Sequence, residues 1–152
     1  RKRPPPGPTW RQPARSGPHP ATPQHREVVI LLDTSVWIDY LRQGDAQMTA
    51  ILQSGLALTH PFVIGELACG NLKSRTKILG LLATLPQARV AQEQETLFFI
   101  ERHKLMGRGI GYIDAHLLAA TALTEGARLW TRDKRLDALA QRLGLAYVKP
   151  AH

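Results

Sequence analysis

The run of five apolar residues from Val28 to Leu32, which stops at Asp33, constrains the fold more than any other feature of this chain. Apolar runs without alternation are typical of strands that are buried on both faces, as in parallel sheets. Such a strand needs helices packed on both faces of its sheet. We therefore expect an α/β domain whose first strand begins near Val28.

The residues after Asp33 continue this pattern of short apolar strands separated by helices. Strands are predicted at 56–59, 127–131 and 145–148, with a weaker one at 89–91. The helical spacing of apolar side chains predicts helices between them, of which the first directly follows Asp33. This alternation predicts a mostly parallel sheet flanked by helices, in a single domain that spans residues 28–152.

The first 27 residues differ from the rest in composition. They contain eight of the 11 prolines, and six basic residues against one acidic residue, Glu27. Apart from Trp10 they offer almost nothing to bury, so burial cannot offset the entropy that is lost on ordering. Residues 1–27 are therefore predicted to be a disordered, basic, proline-rich extension, with a nucleic-acid-binding tail as the functional alternative.

Composition also excludes several classes of protein. The single cysteine, Cys69, rules out an internal disulfide framework and any zinc site built on paired cysteines. No stretch approaches the roughly 18 apolar residues that are needed to cross a bilayer. We expect a soluble, cytoplasmic protein with no membrane partner.

Four acidic residues stand where parallel sheets usually carry their chemistry. Asp33 ends the first strand and Asp133 follows the strand at 127–131, so both lie at the carboxyl ends of strands. Glu66 and Asp114 have apolar neighbours in predicted helices, where an uncompensated charge costs several kcal/mol. Carboxylates that converge need raised pKa values or a bound cation, and oxygen ligands favour Mg²⁺ or Mn²⁺.

Each of these acids also has a purely structural interpretation. Asp33, Asp114 and Asp133 stand where caps or first-turn acids stabilise helices. Glu66 is compatible with a solvated helix stripe. The residues alone leave both interpretations open.

Three segments have the character of sequence motifs. They read LDTSVWIDYL at 32–41, IGYIDAHLLAA at 110–120 and LWTRDKRL at 129–136, and Glu66 lies between the first two. In this order they resemble the PIN-domain ribonuclease toxins of the VapC family, which belong to type II toxin–antitoxin systems. The likeness covers residues 28–149 and leaves residues 1–27 unmatched.

The resemblance implies a PIN-like three-layer sandwich and an endoribonuclease that depends on Mg²⁺, with Mn²⁺ as the alternative ion. It assigns metal coordination to Asp33 and Asp114, and completes the catalytic pocket with Glu66 and Asp133. A water activated by the metal would attack the RNA phosphodiester in line and leave a 5′-phosphate and a 3′-hydroxyl.

Further residues are expected to support these acids. Thr34 and Thr131 stand where the family uses hydroxyl groups to hold the site, and the resemblance implies that role for them here. Arg132 and Arg108 are predicted to contact substrate phosphates, since they lie in sequence near Asp133 and the glycine-rich segment. The alternative for such basic residues is a solvated surface.

The resemblance also implies three partners: an RNA substrate, an antitoxin that covers a groove and blocks the active site, and a second copy of the chain in a homodimer. A phosphatase of the haloacid-dehalogenase class is disfavoured because its second acid would fall at Ser35. Two alternatives remain, a PIN nuclease of RNA maturation without a toxin role and a non-catalytic RNA-binding PIN module. The second should have lost acidic positions, and all four are present.

Overall fold

A three-stranded parallel sheet forms the centre of the fold in the computed structural model, which describes residues 28–150. The middle strand is β1 (Val29–Leu32), with β2 (Ala57–Leu58) on one side and β3 (Ala127–Trp130) on the other. Both pairings are parallel. The apolar run is therefore the central strand, as its sequence predicts.

The register between β1 and β3 determines which residues meet at the end of the sheet. Leu32 pairs with Trp130, so both strands end at the same level. The amide of Asp33 continues the pairing by donating to the carbonyl oxygen of Trp130 at 3.0 Å. Asp33 directly follows β1 and Thr131 directly follows β3. The two residues are therefore neighbours, although they are 98 positions apart in the sequence.

The described part of the chain contains seven helices. They are α1 (Thr34–Gln43), α2 (Ala46–Gln53), α3 (Pro61–Cys69), α4 (Arg75–Thr84), α5 (Glu93–His103), α6 (Tyr112–Leu123) and α7 (Lys134–Arg142). α1 packs on α3, while α6 packs on α5 and β3. The predicted α/β sandwich with a parallel sheet flanked by helices is confirmed.

The core lies between the sheet and the helices. α6 is the most deeply placed helix, since every residue from Ala115 to Thr121 is buried. Trp37 and Phe99 are among the largest side chains that are fully buried. This apolar interior holds in place the carboxyl end of the sheet, where Asp33 lies.

The strand predicted at 89–91 is wrong. The chain forms a parallel bridge there, but it joins Thr59 to Gln87, just before the predicted segment. The amide of Arg89 instead donates to the hydroxyl of Thr124 at 2.8 Å, which ends the pairing.

The strand predicted at 145–148 is reduced to a single bridge between Leu129 and Ala146. Val148, two residues later, is 79% exposed. The pairing therefore does not reach Val148, and the Tyr147 ring packs on Trp130 with centroids 5.5 Å apart.

Helix α5 ends at His103, before the three glycines at 107, 109 and 111. Lys104 takes a left-handed conformation with φ 54° and closes the helix with its amide.

Two predictions about chain organisation lie partly outside the described residues. The prediction of a disordered extension at 1–27 lies outside the described residues, and the domain predicted at 28–152 is described as far as residue 150. Within the described range, no helix has the length and apolarity needed to span a membrane.

Candidate active site

Asp33 lies at the carboxyl end of β1, where the sheet edge and α1 meet. Its side chain is 6% exposed, and Oδ2 accepts hydrogen bonds from the hydroxyls of Thr131 at 2.7 Å and Ser35 at 2.8 Å. The side chain does not cap α1, although Asp33 occupies the N-cap position. The purely structural interpretation of this acid therefore does not describe its contacts.

Thr131 connects Asp33 to the loop that follows β3. Its hydroxyl donates to Asp33 and accepts from the amide of Asp133 at 3.0 Å. Asp133 is held at a second point, because its Oδ1 accepts from the Leu136 amide at 2.9 Å and caps α7. Asp133 is thus a helix cap, as its structural interpretation predicts, and it also faces the other acids.

Glu66 reaches the same region from α3. The hydroxyl of Thr34 donates to Glu66 Oε1 at 3.0 Å and so joins the first turn of α1 to the exposed side of α3. Thr34 had been expected to hold the site, and within the described residues its side chain holds Glu66.

Asp114 lies in the first turn of α6, and its pKa depends on the charges of the other three acids. Partial burial raises the pKa of its carboxyl group, and the negative charges of Asp33, Asp133 and Glu66 raise it further. A hydrogen bond from the Gly111 amide, at 3.3 Å, lowers the pKa in part. The charges of three acids from separate segments of the chain therefore act on Asp114.

The geometry also limits what these acids can bind. Among residues 28–150, no three acidic, histidine or cysteine side chains form a ready-made metal-ligand cluster. A hard cation nevertheless fits the donors, because they are all oxygens and because a positive charge would relieve the repulsion on Asp114. Mg²⁺ retains several waters and needs only one or two carboxylates, so a cluster of three ligands is not required.

The two arginines predicted to contact substrate have different surroundings. The Arg132 side chain forms ion pairs with Asp39 and Asp45, each at 3.0 Å. Arg108 is exposed, and its Nε donates to the carbonyl oxygen of Lys104 at 3.3 Å.

Sequence reasoning missed one hydroxyl at the site, that of Ser35. Besides donating to Asp33, Ser35 accepts from the amide of Arg132 at 3.0 Å, so it joins the start of α1 to the loop after β3. Its position two residues after Asp33 was a signal in the sequence, but this position was used only to exclude a phosphatase.

The fold and the site together define a class of protein. The model of the PIN domain family matches residues 30–142, and the chain belongs to that family. Within it, the chain is similar to ribonuclease VapC32 of Mycobacterium tuberculosis, from strain CDC 1551 / Oshkosh and from strain ATCC 25618 / H37Rv. In each case the identity is 50% over 121 residues, which is 80% of this chain and 98% of the relative. These matches confirm the resemblance to VapC-type PIN-domain ribonucleases.

Proposed function

We propose that this chain is a metal-dependent endoribonuclease and the toxin of a toxin–antitoxin pair. The observation that carries the proposal is that Asp114 lies near enough to Asp33, Asp133 and Glu66 for their charges to raise its pKa, in addition to the larger effect of burial. Facing carboxylates destabilise a fold, and a divalent cation reverses that effect. The 50% identity to VapC32, which is named a ribonuclease, supports RNA as the substrate.

Each acid has a separate task in this proposal. Asp33 and Asp114 would hold Mg²⁺, which when bound supplies an activated water and neutralises charge on the scissile phosphate. The hydroxyls of Thr131 and Ser35 both bind Asp33 Oδ2, and the second carboxylate oxygen has no hydrogen bond to the described residues. That oxygen is the one we assign to the metal.

The remaining two acids would complete the pocket from fixed positions. The Leu136 amide fixes Asp133, and the Thr34 hydroxyl fixes Glu66. Because each carboxylate has one bound and one available oxygen, both could accept a hydrogen bond from the attacking water. Preorganised acceptors of this kind need little reorganisation during the reaction.

The direct test replaces single carboxylates without changing their shape. Asp33→Asn and Asp114→Asn should each lower Mg²⁺-stimulated RNA cleavage by about 100-fold or more, since metal activation supplies several kcal/mol. Glu101→Gln is the matched control, because it removes an exposed carboxylate from α5 and should leave cleavage unchanged. Cleavage at the wild-type rate by both aspartate variants, shown to be folded by circular dichroism, would contradict the proposal.

A cleft beside the acids is the surface that we assign to the antitoxin. It has a volume of about 740 Å³ and lies between α1, α3 and α4. Ile38, Leu41 and Ile78 give it an apolar lining, while Lys73 and Lys77 add positive charge and Glu66 connects it to the acids. An antitoxin segment with apolar and acidic side chains complements this surface and would close access to the acids.

Co-expression tests the toxin role and separates it from RNA maturation. Induction of the wild-type chain should stop growth, and the small protein encoded by an adjacent gene should restore it. Lys73→Glu/Lys77→Glu should weaken this rescue while it preserves RNA cleavage. Growth that continues during active RNA cleavage would favour the RNA-maturation nuclease instead. The predicted homodimer can be measured on the same purified protein by light scattering.

A further inference from the structure

The Arg132 side chain connects the loop after β3 to helices α1 and α2 through ion pairs. Its Nε lies 3.0 Å from Asp39 Oδ2 in α1, and its Nη2 lies 3.0 Å from Asp45 Oδ2 at the N-cap of α2. The guanidinium also lies 5.4 Å from the centre of the Trp130 ring. Two carboxylates and one aromatic ring therefore fix its position.

The charges around Arg132 balance. Lys149 lies 4.9 Å from the centre of the same Trp130 ring, so two cations accompany two carboxylates. The amide of Met48 lowers the pKa of Asp45 most, and Arg132 and Lys149 lower it further. Asp39 and Asp45 therefore offset part of the positive charge with which Arg132 would attract RNA phosphate.

The backbone on either side of Arg132 belongs to the candidate active site. The Arg132 amide donates to Ser35 Oγ at 3.0 Å, and the next amide, that of Asp133, donates to Thr131 Oγ1 at 3.0 Å. Both hydroxyls hold Asp33. A side chain that anchors this loop therefore sets the orientation of Asp33 and Asp133.

We propose that Arg132 is a positioning residue, which acts through its ion pairs with Asp39 and Asp45 to hold the 131–133 loop against α1. This inference rests on the proposed nuclease function. It differs from the substrate contact that the sequence predicts for Arg132, because the ion pairs direct the guanidinium toward α1 and α2. Asp39 and Asp45 become part of the support of the site, although neither reaches the reacting atoms.

The variant Asp39→Asn/Asp45→Asn separates the two roles because they predict different results. It leaves Arg132 in place without its carboxylates, and asparagine at position 45 still caps α2. A positioning role predicts that kcat falls by about 10-fold while KM for RNA stays within twofold, as for groups that orient metal ligands. A substrate contact predicts a lower KM, because the released guanidinium can then bind phosphate.

Each outcome for Asp39→Asn/Asp45→Asn either supports or overturns the positioning role. A fall confined to kcat supports the proposal, and an unchanged kcat or a main effect on KM in either direction overturns it. Arg132→Lys should recover part of the kcat lost in Arg132→Gln, because an ammonium group can keep one of the two ion pairs. Arg142→Gln is the charge-matched control, and it should leave kcat unchanged since Arg142 contacts the His103 carbonyl on α5.

A measurement that needs no catalysis keeps this test separate from the nuclease proposal. The amides of Arg132 and Asp133 should exchange with solvent about 10-fold faster in Asp39→Asn/Asp45→Asn, as followed by NMR. Unchanged exchange rates would overturn the positioning role even if cleavage is impaired. Absence of RNA cleavage by the wild type would instead refute the proposed function, and the exchange rates would still decide whether Arg132 holds the loop.

Discussion

At the scale of single residues, the hydroxyl of Thr131 has two tasks at the candidate site. It donates to Asp33 and accepts from the amide of Asp133, and its side chain is 7% exposed. Water cannot easily replace either hydrogen bond at such a position. The two acids thus depend on one buried oxygen atom.

Thr131→Val removes that oxygen and keeps the shape of the side chain. We expect the free energy of unfolding to fall by about 1–3 kcal/mol, because a buried carboxylate and a backbone amide lose a partner. RNA cleavage should fall by about 10-fold or more. Thr131→Ser keeps the hydroxyl and should be close to wild type in both urea denaturation and cleavage; equal behaviour of the valine and serine variants would contradict this role.

At the scale of secondary-structure elements, helix α3 begins with an unusual cap. The imidazole of His60 accepts a hydrogen bond from the Phe62 amide through Nδ1, while its Nε2 is buried without a partner among the described residues. Burial, followed by the charge of His116, lowers the pKa of His60 from 6.5 to about 4. The start of the helix that carries Glu66 therefore requires a neutral histidine.

This cap predicts that the protein loses stability in mild acid. Between pH 6.5 and about 4 the unfolded chain binds a proton that the folded chain does not, so stability falls as the pH decreases through this range. The loss from His60 is at most about 3.5 kcal/mol, at roughly 1.4 kcal/mol per pKa unit between 6.5 and about 4. His60→Asn keeps an acceptor for the Phe62 amide and should flatten the pH dependence of urea unfolding. Identical slopes for variant and wild type would exclude His60 as the cause.

At the scale of the whole molecule, repulsion between the acids lowers the free energy of unfolding, and a bound cation would relieve this repulsion. The pKa of Asp114 is raised by burial and by three other carboxylates, so its charged form is unfavourable in the metal-free protein. A ligand that binds only the folded state stabilises it in proportion to its concentration. Folding stability and metal binding are thereby linked.

Thermal unfolding gives a test of this link. At 100 times its dissociation constant, Mg²⁺ should stabilise the wild type by about 2.7 kcal/mol, which raises Tm by several degrees. Asp114→Asn should have a higher Tm than the metal-free wild type, because the raised pKa marks a charge that destabilises the fold, and Mg²⁺ should raise it little. A wild-type Tm that does not respond to Mg²⁺ would count against the metal site.

The first strand and the position of Asp33 could be predicted from the sequence, but the contacts of Asp33 could not. The unbroken apolar run of β1 and the position of Asp33 directly after it depend on local sequence alone, so both could be predicted. The contact between Asp33 and Thr131 depends on the register between β1 and β3, which are far apart in the sequence, so it could not be predicted from local patterns.

Arg132 shows why substrate contacts are harder to predict than acids. Its neighbours in sequence are Thr131 and Asp133, which suggested a role at the surface of the site. Its ionic partners, Asp39 and Asp45, lie in other helices, and only the packing of those helices brings them within 3.0 Å. The sign of the local charge is a property of the folded molecule, so it cannot be taken from adjacent residues.

β1, the first described strand, pairs with β3, which begins at Ala127. This pairing determines when the site can assemble during synthesis of the chain. The ribosome synthesises β1 almost a hundred residues before it synthesises β3 and Thr131, whose hydroxyl hydrogen-bonds to Asp33. Nascent chains and early-terminated fragments lack this partner and have no assembled pocket. The proposed site can therefore assemble only after the ribosome has synthesised β3 and the residues up to Asp133.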